Sequence, residues 1–232
     1  MDFKSVRGVL FDLDGTLYRQ PPMRALMALE LAALPLSGPF RAGRRLRALR
    51  AYRRAQEHLR AAPGRDPGAA QLAAAARASG LPVAEVERLV TEWIQQRPLK
   101  YLRFCRAKGL DDLLGVVERA GLRAGILSDY PARAKLEALD LGGRFAPVLC
   151  ASDPEIAAFK PSPRGFRRAC EIWGIEPREV LVVGDRADVD AAGAAAAGMP
   201  CAIVGRRTAP PGASHVVVES LEQLSRVIDS RA

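Results

Sequence analysis

The chain has 232 residues, of which 49% are apolar and 26% charged, with a formal net charge of +9. This balance excludes a disordered chain, a collagen-like repeat and a disulfide-stapled miniprotein, and it allows one large core or a core with a smaller accessory domain. No apolar run reaches the roughly 18 residues that a bilayer span needs. Met1-Asp2-Phe3-Lys4 carries no signal-peptide pattern, so a cytoplasmic location is expected.

The first apolar run, Arg7–Phe11, reads as a buried strand and ends in Asp12-Leu13-Asp14-Gly15-Thr16-Leu17. From about Tyr18 to Arg97 no strand is evident, and the pattern predicts four helices at Met23–Leu34, Ala42–Arg60, Ala69–Ala78 and Ala84–Gln95. Pro35, Gly38 and Pro39 punctuate the first gap, Pro63–Gly68 the second, and Gly80 with Pro82 the third. Further on, the apolar runs Leu122–Leu127, Ala146–Cys150, Val180–Val183, Cys201–Val204 and His215–Val218 follow one another. Helical stretches at Asp111–Ala120, Ala132–Leu139, Pro163–Trp173 and Asp190–Ala197 separate them.

Continuous runs of this kind fit strands buried on both faces of a parallel sheet, and their alternation with helices predicts an α/β fold. The expected architecture is a Rossmann-like doubly wound parallel sheet with an all-helical insert after the first strand. Residues 1–17 and 98–232 would form the α/β core and 18–97 the insert.

Cys105, Cys150, Cys170 and Cys201 form no C-x-x-C pair, and His58 and His215 are the two histidines, so zinc, disulfide and Ser-His chemistry have little to draw on. The carboxylates offer more. Asp12 and Asp14 sit at the carboxyl end of a buried strand, where they are costly unless compensated, and where ligands bind in open α/β sheets. A bare D-x-D would read as a strand-end turn. Here Ser128 ends the second strand, Lys160 precedes a helix, and Gly184-Asp185-Arg186-Ala187-Asp188-Val189-Asp190 ends a later strand. A hydroxyl, a cation and two carboxylate clusters at one sheet edge suit phosphoryl transfer, with oxygen ligands for Mg²⁺ and donors for the phosphate.

These four motifs, in this order, resemble those of the haloacid dehalogenase (HAD) superfamily of hydrolases, and the resemblance runs from residue 7 to about 205. It implies a helical-cap phosphatase. Asp12 would be the nucleophile forming an aspartyl-phosphate, and Asp14 the general acid and then the base. Thr16, Ser128, Asp129 and Lys160 would surround the phosphate, with Ser128 and Lys160 also serving catalysis. Asp12, Asp14 (through its carbonyl), Asp185 and Asp190 would hold Mg²⁺.

Asp188 lies three residues after Asp185 and Asp190 five, so Asp188 stays a rival for the last role, and Arg186 departs from the small polar residue often found there. Family dehalogenases lack the second Asp, so Asp14 favours a phosphatase. Residues 17–99 contain no Lys, which disfavours the members that cleave phosphonates through a cap lysine. A phosphomutase, or a binding protein of this fold that uses its basic helix, remain alternatives.

That helix holds eight arginines over residues 41–60 (41, 44, 45, 47, 50, 53, 54 and 60) against one acid, Glu57. Leu46, Leu49, Tyr52 and Leu59 form an apolar stripe that should pack. The remaining guanidinium groups read either as a solvated face or, in part, as receptors for an anionic substrate. Without interleaved aromatics, nucleic-acid binding is not expected. The expected partner is a small phosphorylated metabolite, and the expected assembly a monomer or homodimer. The identity of the phosphomonoester is not legible at this level.

Overall fold

The computed structural model describes residues 5–32, 39–61, 66–205 and 209–230, with side chains from residue 43 onward in the helix that begins at Pro39. Six strands, β1 (Gly8–Phe11), β2 (Arg123–Ser128), β3 (Val148–Cys150), β4 (Val180–Gly184), β5 (Cys201–Val204) and β6 (His215–Val218), form one sheet in the order β3-β2-β1-β4-β5-β6. Every neighbouring pair is parallel. The chain leaves β1 toward β2 and later returns to β4 on its other side, so the order reverses at β1, the position where open α/β sheets bind ligands. Register sharpens the point. Phe11 lies level with Ile126 and with Val183, so Asp12, Ser128 and Asp185 all emerge at one edge.

Alternation along the strands feeds two cores. Val9, Phe11, Leu181 and Val183 face Leu113 and Val117 of α6 (Leu110–Arg119) and Leu224 of α10 (Leu221–Asp229). Leu10, Leu127, Val180 and Val182 face Phe166 and Trp173 of α8 (Arg164–Trp173) and Ala194 of α9 (Ala192–Ala197). Two further core helices are α7 (Arg133–Ala138), which follows β2, and α5 (Leu99–Leu102), which precedes α6.

Between β1 and β2 lie α1 (Gln20–Ala32), α2 (Pro39–Ala61), α3 (Pro67–Ser79) and α4 (Val83–Val90), which build the helical cap. Helix α3 starts where Asp66 accepts the Ala69 N–H at 2.9 Å and ends at Gly80, whose φ of 66° is the left-handed stop. The cap's return strap is pinned to α1: Arg97 and Lys100 pair with Glu30 at 3.0 and 2.6 Å, and the Tyr101 hydroxyl also donates to Glu30.

Several expectations change. The helix expected at Ala84–Gln95 is α-helical only to Val90 and continues as a wider π turn over Thr91–Gln96. The helix expected at Ala42–Arg60 begins earlier, at Pro39. Helices α5 and α10 were not anticipated; α10 carries Ser220 as its N-cap, accepting from the Gln223 N–H at 3.2 Å. The expected gap at Pro35 and Gly38, the end of the first helix at Leu34, and the turn at Pro63 to Arg65 lie outside the described residues. No helix among the described residues is long and apolar enough to cross a membrane.

Candidate active site

The loop after β1 is shaped by two glycines. Gly15 has φ +112°, and a Cβ there would lie 2.1 Å from an Asp185 carboxylate oxygen. A Cβ on Gly184 would lie 2.4 Å from Asp190 Cγ. Gly15 therefore lets the first motif close against the last, and Gly184 leaves room for Asp190 to fold back over its own strand end. Asp12 itself is anchored by its N–H on the Val183 carbonyl at 2.8 Å, and its carboxylate accepts from the Thr16 hydroxyl at 3.1 Å.

Lys160 is buried between two acids: its ammonium donates to Asp12 and, at 2.6 Å, to Asp190. Asp190 also accepts the Arg186 backbone N–H at 3.1 Å. Oxygens of Asp12, Asp185 and Asp190 lie within 4.8 Å of one another. Asp188 is not brought to this group; it is exposed and paired with the Arg186 guanidinium at 2.5 Å.

Asp14 points elsewhere. Lys135, from α7, places its ammonium 2.6 and 2.7 Å from the two Asp14 carboxylate oxygens, and the Tyr18 hydroxyl donates to the same carboxylate. The Gln20 side chain donates to the Asp14 carbonyl. The sequence pattern by itself does not point to Lys135, Tyr18 or Gln20. Tyr18 and Gln20 were within reach of it as polar groups close after the motif, but Lys135 is one charged residue on a short helix with no local mark.

Ser128 is buried at the end of β2, its hydroxyl accepting the Tyr130 N–H at 3.2 Å. Asp129 is committed to other groups. It accepts the Lys160 backbone N–H at 3.0 Å, the Gln56 amide at 3.3 Å and the Arg60 guanidinium at 2.7 Å. Its contacts make it a brace between cap and core.

The electrostatics follow. Burial, joined by Asp190, Asp185 and Asp14 and opposed by Lys160, pushes Asp12 well above the ordinary carboxylate range. Burial and Asp190 raise Asp185 to about 6 against the pull of Lys160. Burial would raise Asp14 too, but the Lys135 charge and hydrogen bonds, with Tyr18, outweigh it and hold the carboxyl below its usual value. Burial opposes the charge on Lys160, yet Asp12, Asp190 and Asp129 raise its pKa above the usual lysine value. Four carboxylates (12, 14, 185 and 190) thus share two ammoniums (135 and 160), which leaves an excess of negative charge on an all-oxygen donor set. That set suits a hard divalent cation such as Mg²⁺, and Asp12, Asp185 and Asp190 are placed to hold one.

The cavity above these groups has a volume of about 680 Å³. Of the arginine-rich helix, Arg53 and Arg60 line it, whereas Arg47, Arg50 and Arg54 line a separate groove between α2 and α3 that contains none of the catalytic candidates. The side chain of Arg41 lies outside the described residues. Glu57, the helix's one acid, meets Arg186 through two bonds of 2.9 and 3.2 Å. The arginine that departs from the usual last motif is therefore the partner of the helix's one acid.

The model of the haloacid dehalogenase-like hydrolases matches residues 6–198. A phosphoglycolate phosphatase of Shigella boydii serotype 4 (strain Sb227) is 31% identical over 215 residues, 83% of this chain and 79% of that protein. An N-acetylmuramic acid 6-phosphate phosphatase of Pseudomonas aeruginosa (strain PAO1) is 27% identical over 188 residues, 78% and 74% of the two chains. Among solved structures, a 2-haloacid dehalogenase from Pseudomonas syringae pv. Tomato DC3000 superposes with a TM-score of 0.68 at 20% identity, covering 98% of this chain and all of that one. The last likeness is one of fold.

Proposed function

The chain belongs to the haloacid dehalogenase-like hydrolase family, and within it we propose a Mg²⁺-dependent phosphatase that hydrolyses a phosphomonoester through an aspartyl-phosphate on Asp12. The observation that carries this reading is the pair Asp12 and Asp14 on one loop with separate partners: Asp12 with Lys160, and Asp14 with Lys135 and Tyr18. Two carboxylates in different environments suit two roles. Relatives named as phosphatases support it, as does Asp14, which a halide leaving group would not require. In this reading residues 18–97 are the cap domain and 1–17 with 98–232 the core.

An Asp12 oxygen attacks phosphorus, and the bond from phosphorus to the leaving oxygen breaks. Lys160 holds Asp12 for attack and lessens its repulsion from the incoming dianion, and the Ser128 hydroxyl donates to the phosphoryl group. A divalent cation held by Asp12, Asp185, Asp190 and the Asp14 carbonyl would supply further charge neutralisation. Asp14 gives its proton to the departing alkoxide, then takes one from the water that attacks the acyl-phosphate, releasing inorganic phosphate and Asp12. Lys135 favours the carboxylate form that the second step uses. The first step uses the acid, so Asp14 turns from Lys135 toward the leaving oxygen when it carries the proton.

The test is release of phosphate from phosphomonoesters with Mg²⁺. Turnover that disappears in Asp12→Asn, together with a trapped acyl-phosphate on the wild-type chain, is expected. Activity of Asp12→Asn within tenfold of wild type would defeat the covalent route.

A further inference from the structure

Building on the phosphatase reading, we infer that the leaving group is a ring-sized alcohol with an apolar body and an anionic substituent that Arg53 receives, and that a two-carbon acid underfills the site. The cavity's volume of about 680 Å³ falls among those that enclose drug-sized ligands, several times the bulk of a phosphorylated two-carbon acid. Its floor is polar and already paired. Its wall is apolar. Met23, Met27 and Leu31 recur every four residues on one face of α1, and Trp93 with Ile94 completes the wall from the cap's return strap.

The π turn brings the strap's two residues into line. Where a regular helix was expected, the Arg97 N–H reaches back five residues to the Glu92 carbonyl at 2.8 Å, and the widened turn gives adjacent Trp93 and Ile94 to the same cavity. Such turns recur at functional sites. Arg97 lies over the Trp93 ring at 4.1 Å, with its own charge taken up by Glu30 and Glu92. Methionines beside such a ring make a surface that moulds to an apolar guest.

Most of the cavity's other cations are engaged by carboxylates, and Arg24 is held by a neutral group. Arg60 pairs with Asp129 and Glu57, Arg186 with Glu57 and Asp188, and Arg24 donates to the Gln20 amide oxygen. Lys160 and Lys135 serve the catalytic acids. Arg53 is exposed at the same cavity, and among the described residues it has neither a carboxylate partner nor a side-chain hydrogen bond. A guanidinium so placed receives a carboxylate or second phosphate in a fork.

Binding separates this inference from the phosphatase reading. Three non-hydrolysable phosphonates serve as probes, each measured by calorimetry with Mg²⁺: 3-phosphonopropionate as the two-carbon acid, 2-phenylethylphosphonate, and its 4-carboxy derivative. The carboxylated ring should bind at least tenfold more tightly than 3-phosphonopropionate. Arg53→Ala should weaken the carboxylated ring alone by about tenfold, to the level of the uncharged ring. Trp93→Ala should weaken both rings and leave 3-phosphonopropionate unchanged; Ile94→Ser, at a half-buried position, repeats the test should Trp93→Ala not fold. If 3-phosphonopropionate binds as tightly as the carboxylated ring, or if Arg53→Ala weakens all three equally, the inference is overturned. Turnover of the matching phosphate esters reads the phosphatase proposal separately. A chain that binds the rings but hydrolyses no phosphomonoester defeats that reading and leaves the ring-sized anionic ligand assigned to the cavity.

Discussion

Lys135 grips Asp14 with both carboxylate oxygens within 2.7 Å of its ammonium, across 121 residues of sequence. Asp14 comes from the loop after β1 and Lys135 from α7, and Lys135 is buried while Asp14 is half-buried. The proposed acid–base group is thus held by a core helix through Lys135 and by the first residues of the cap through Tyr18.

Lys135→Met should lower kcat by tenfold or more while KM for a phosphate ester changes less than threefold. Lys135 touches Asp14, and a positioned acid–base group contributes roughly 10²–10⁴ to the rate. Steady-state kinetics on an alkyl phosphate read the split. A change confined to KM would place Lys135 on the substrate instead.

Asp12→Asn should remove turnover and yet raise Tm in EDTA. Burial and three neighbouring acids disfavour the Asp12 charge. A carboxylate whose pKa is raised by folding costs stability at any pH above its unfolded value of about 3.8, and the amide removes that cost. A lower Tm for the variant at pH 7 would show that the Lys160 bond outweighs the repulsion.

Asp185→Asn should weaken the Mg²⁺-induced rise in Tm at least tenfold on the concentration axis, whereas Asp188→Asn should leave it unchanged. Asp185 lies with Asp12 and Asp190, while Asp188 is exposed on Arg186. Equal loss in both variants would mean that the last motif binds the ion through a different pair.

Glu30→Gln should lower Tm at pH 7 by about 2–4 °C, the shift that about 1 kcal/mol makes at this chain length. Hydrogen bonds from Lys100 and Tyr101, then Arg97, outweigh burial and hold Glu30 at about 2 against its ordinary 4.5. A depressed carboxyl stabilises the fold above its unfolded pKa and loses that contribution as pH falls through the folded one. The gap between wild type and variant should therefore close between about pH 5 and pH 2. A gap that stays constant over that window would assign the effect to packing.

Two of the ion pairs that tie cap to core should differ. Arg60 and Asp129 expose 11% and 10% of their side chains, so Arg60→Met leaves a buried carboxylate short of its partner and should cost about 3 kcal/mol in denaturant unfolding. Arg186 and Glu57 are 40% and 51% exposed, and Glu57→Gln should cost under about 1 kcal/mol. Equal costs would mean that neither pair is specially sheltered.

The sequence determined by itself whatever depends on local period and local chemistry. Continuous runs rich in Val, Ile and Leu set the strands, because a doubly buried strand tolerates so many apolar residues in a row. The order of the runs and the helices between them set a parallel sheet. Asp12, Asp14, Ser128, Lys160 and Asp185 were legible because each stands next to a strand end or a helix start, where a buried polar group needs a reason.

Only the tertiary structure decided which distant groups meet. Asp190 rather than Asp188 reaches Lys160, because the chain turns through Ala187–Ala191 in a wide helical turn that buries one acid and exposes the other. Lys135 reaches Asp14 because parallel register sets β1 and β2 side by side at one edge. The eight arginines of one helix were indistinguishable as a string. That Arg53 and Arg60 line the catalytic cavity while Arg47, Arg50 and Arg54 line the α2–α3 groove depends on how α2 packs, and packing is settled by long-range contacts that no local pattern carries.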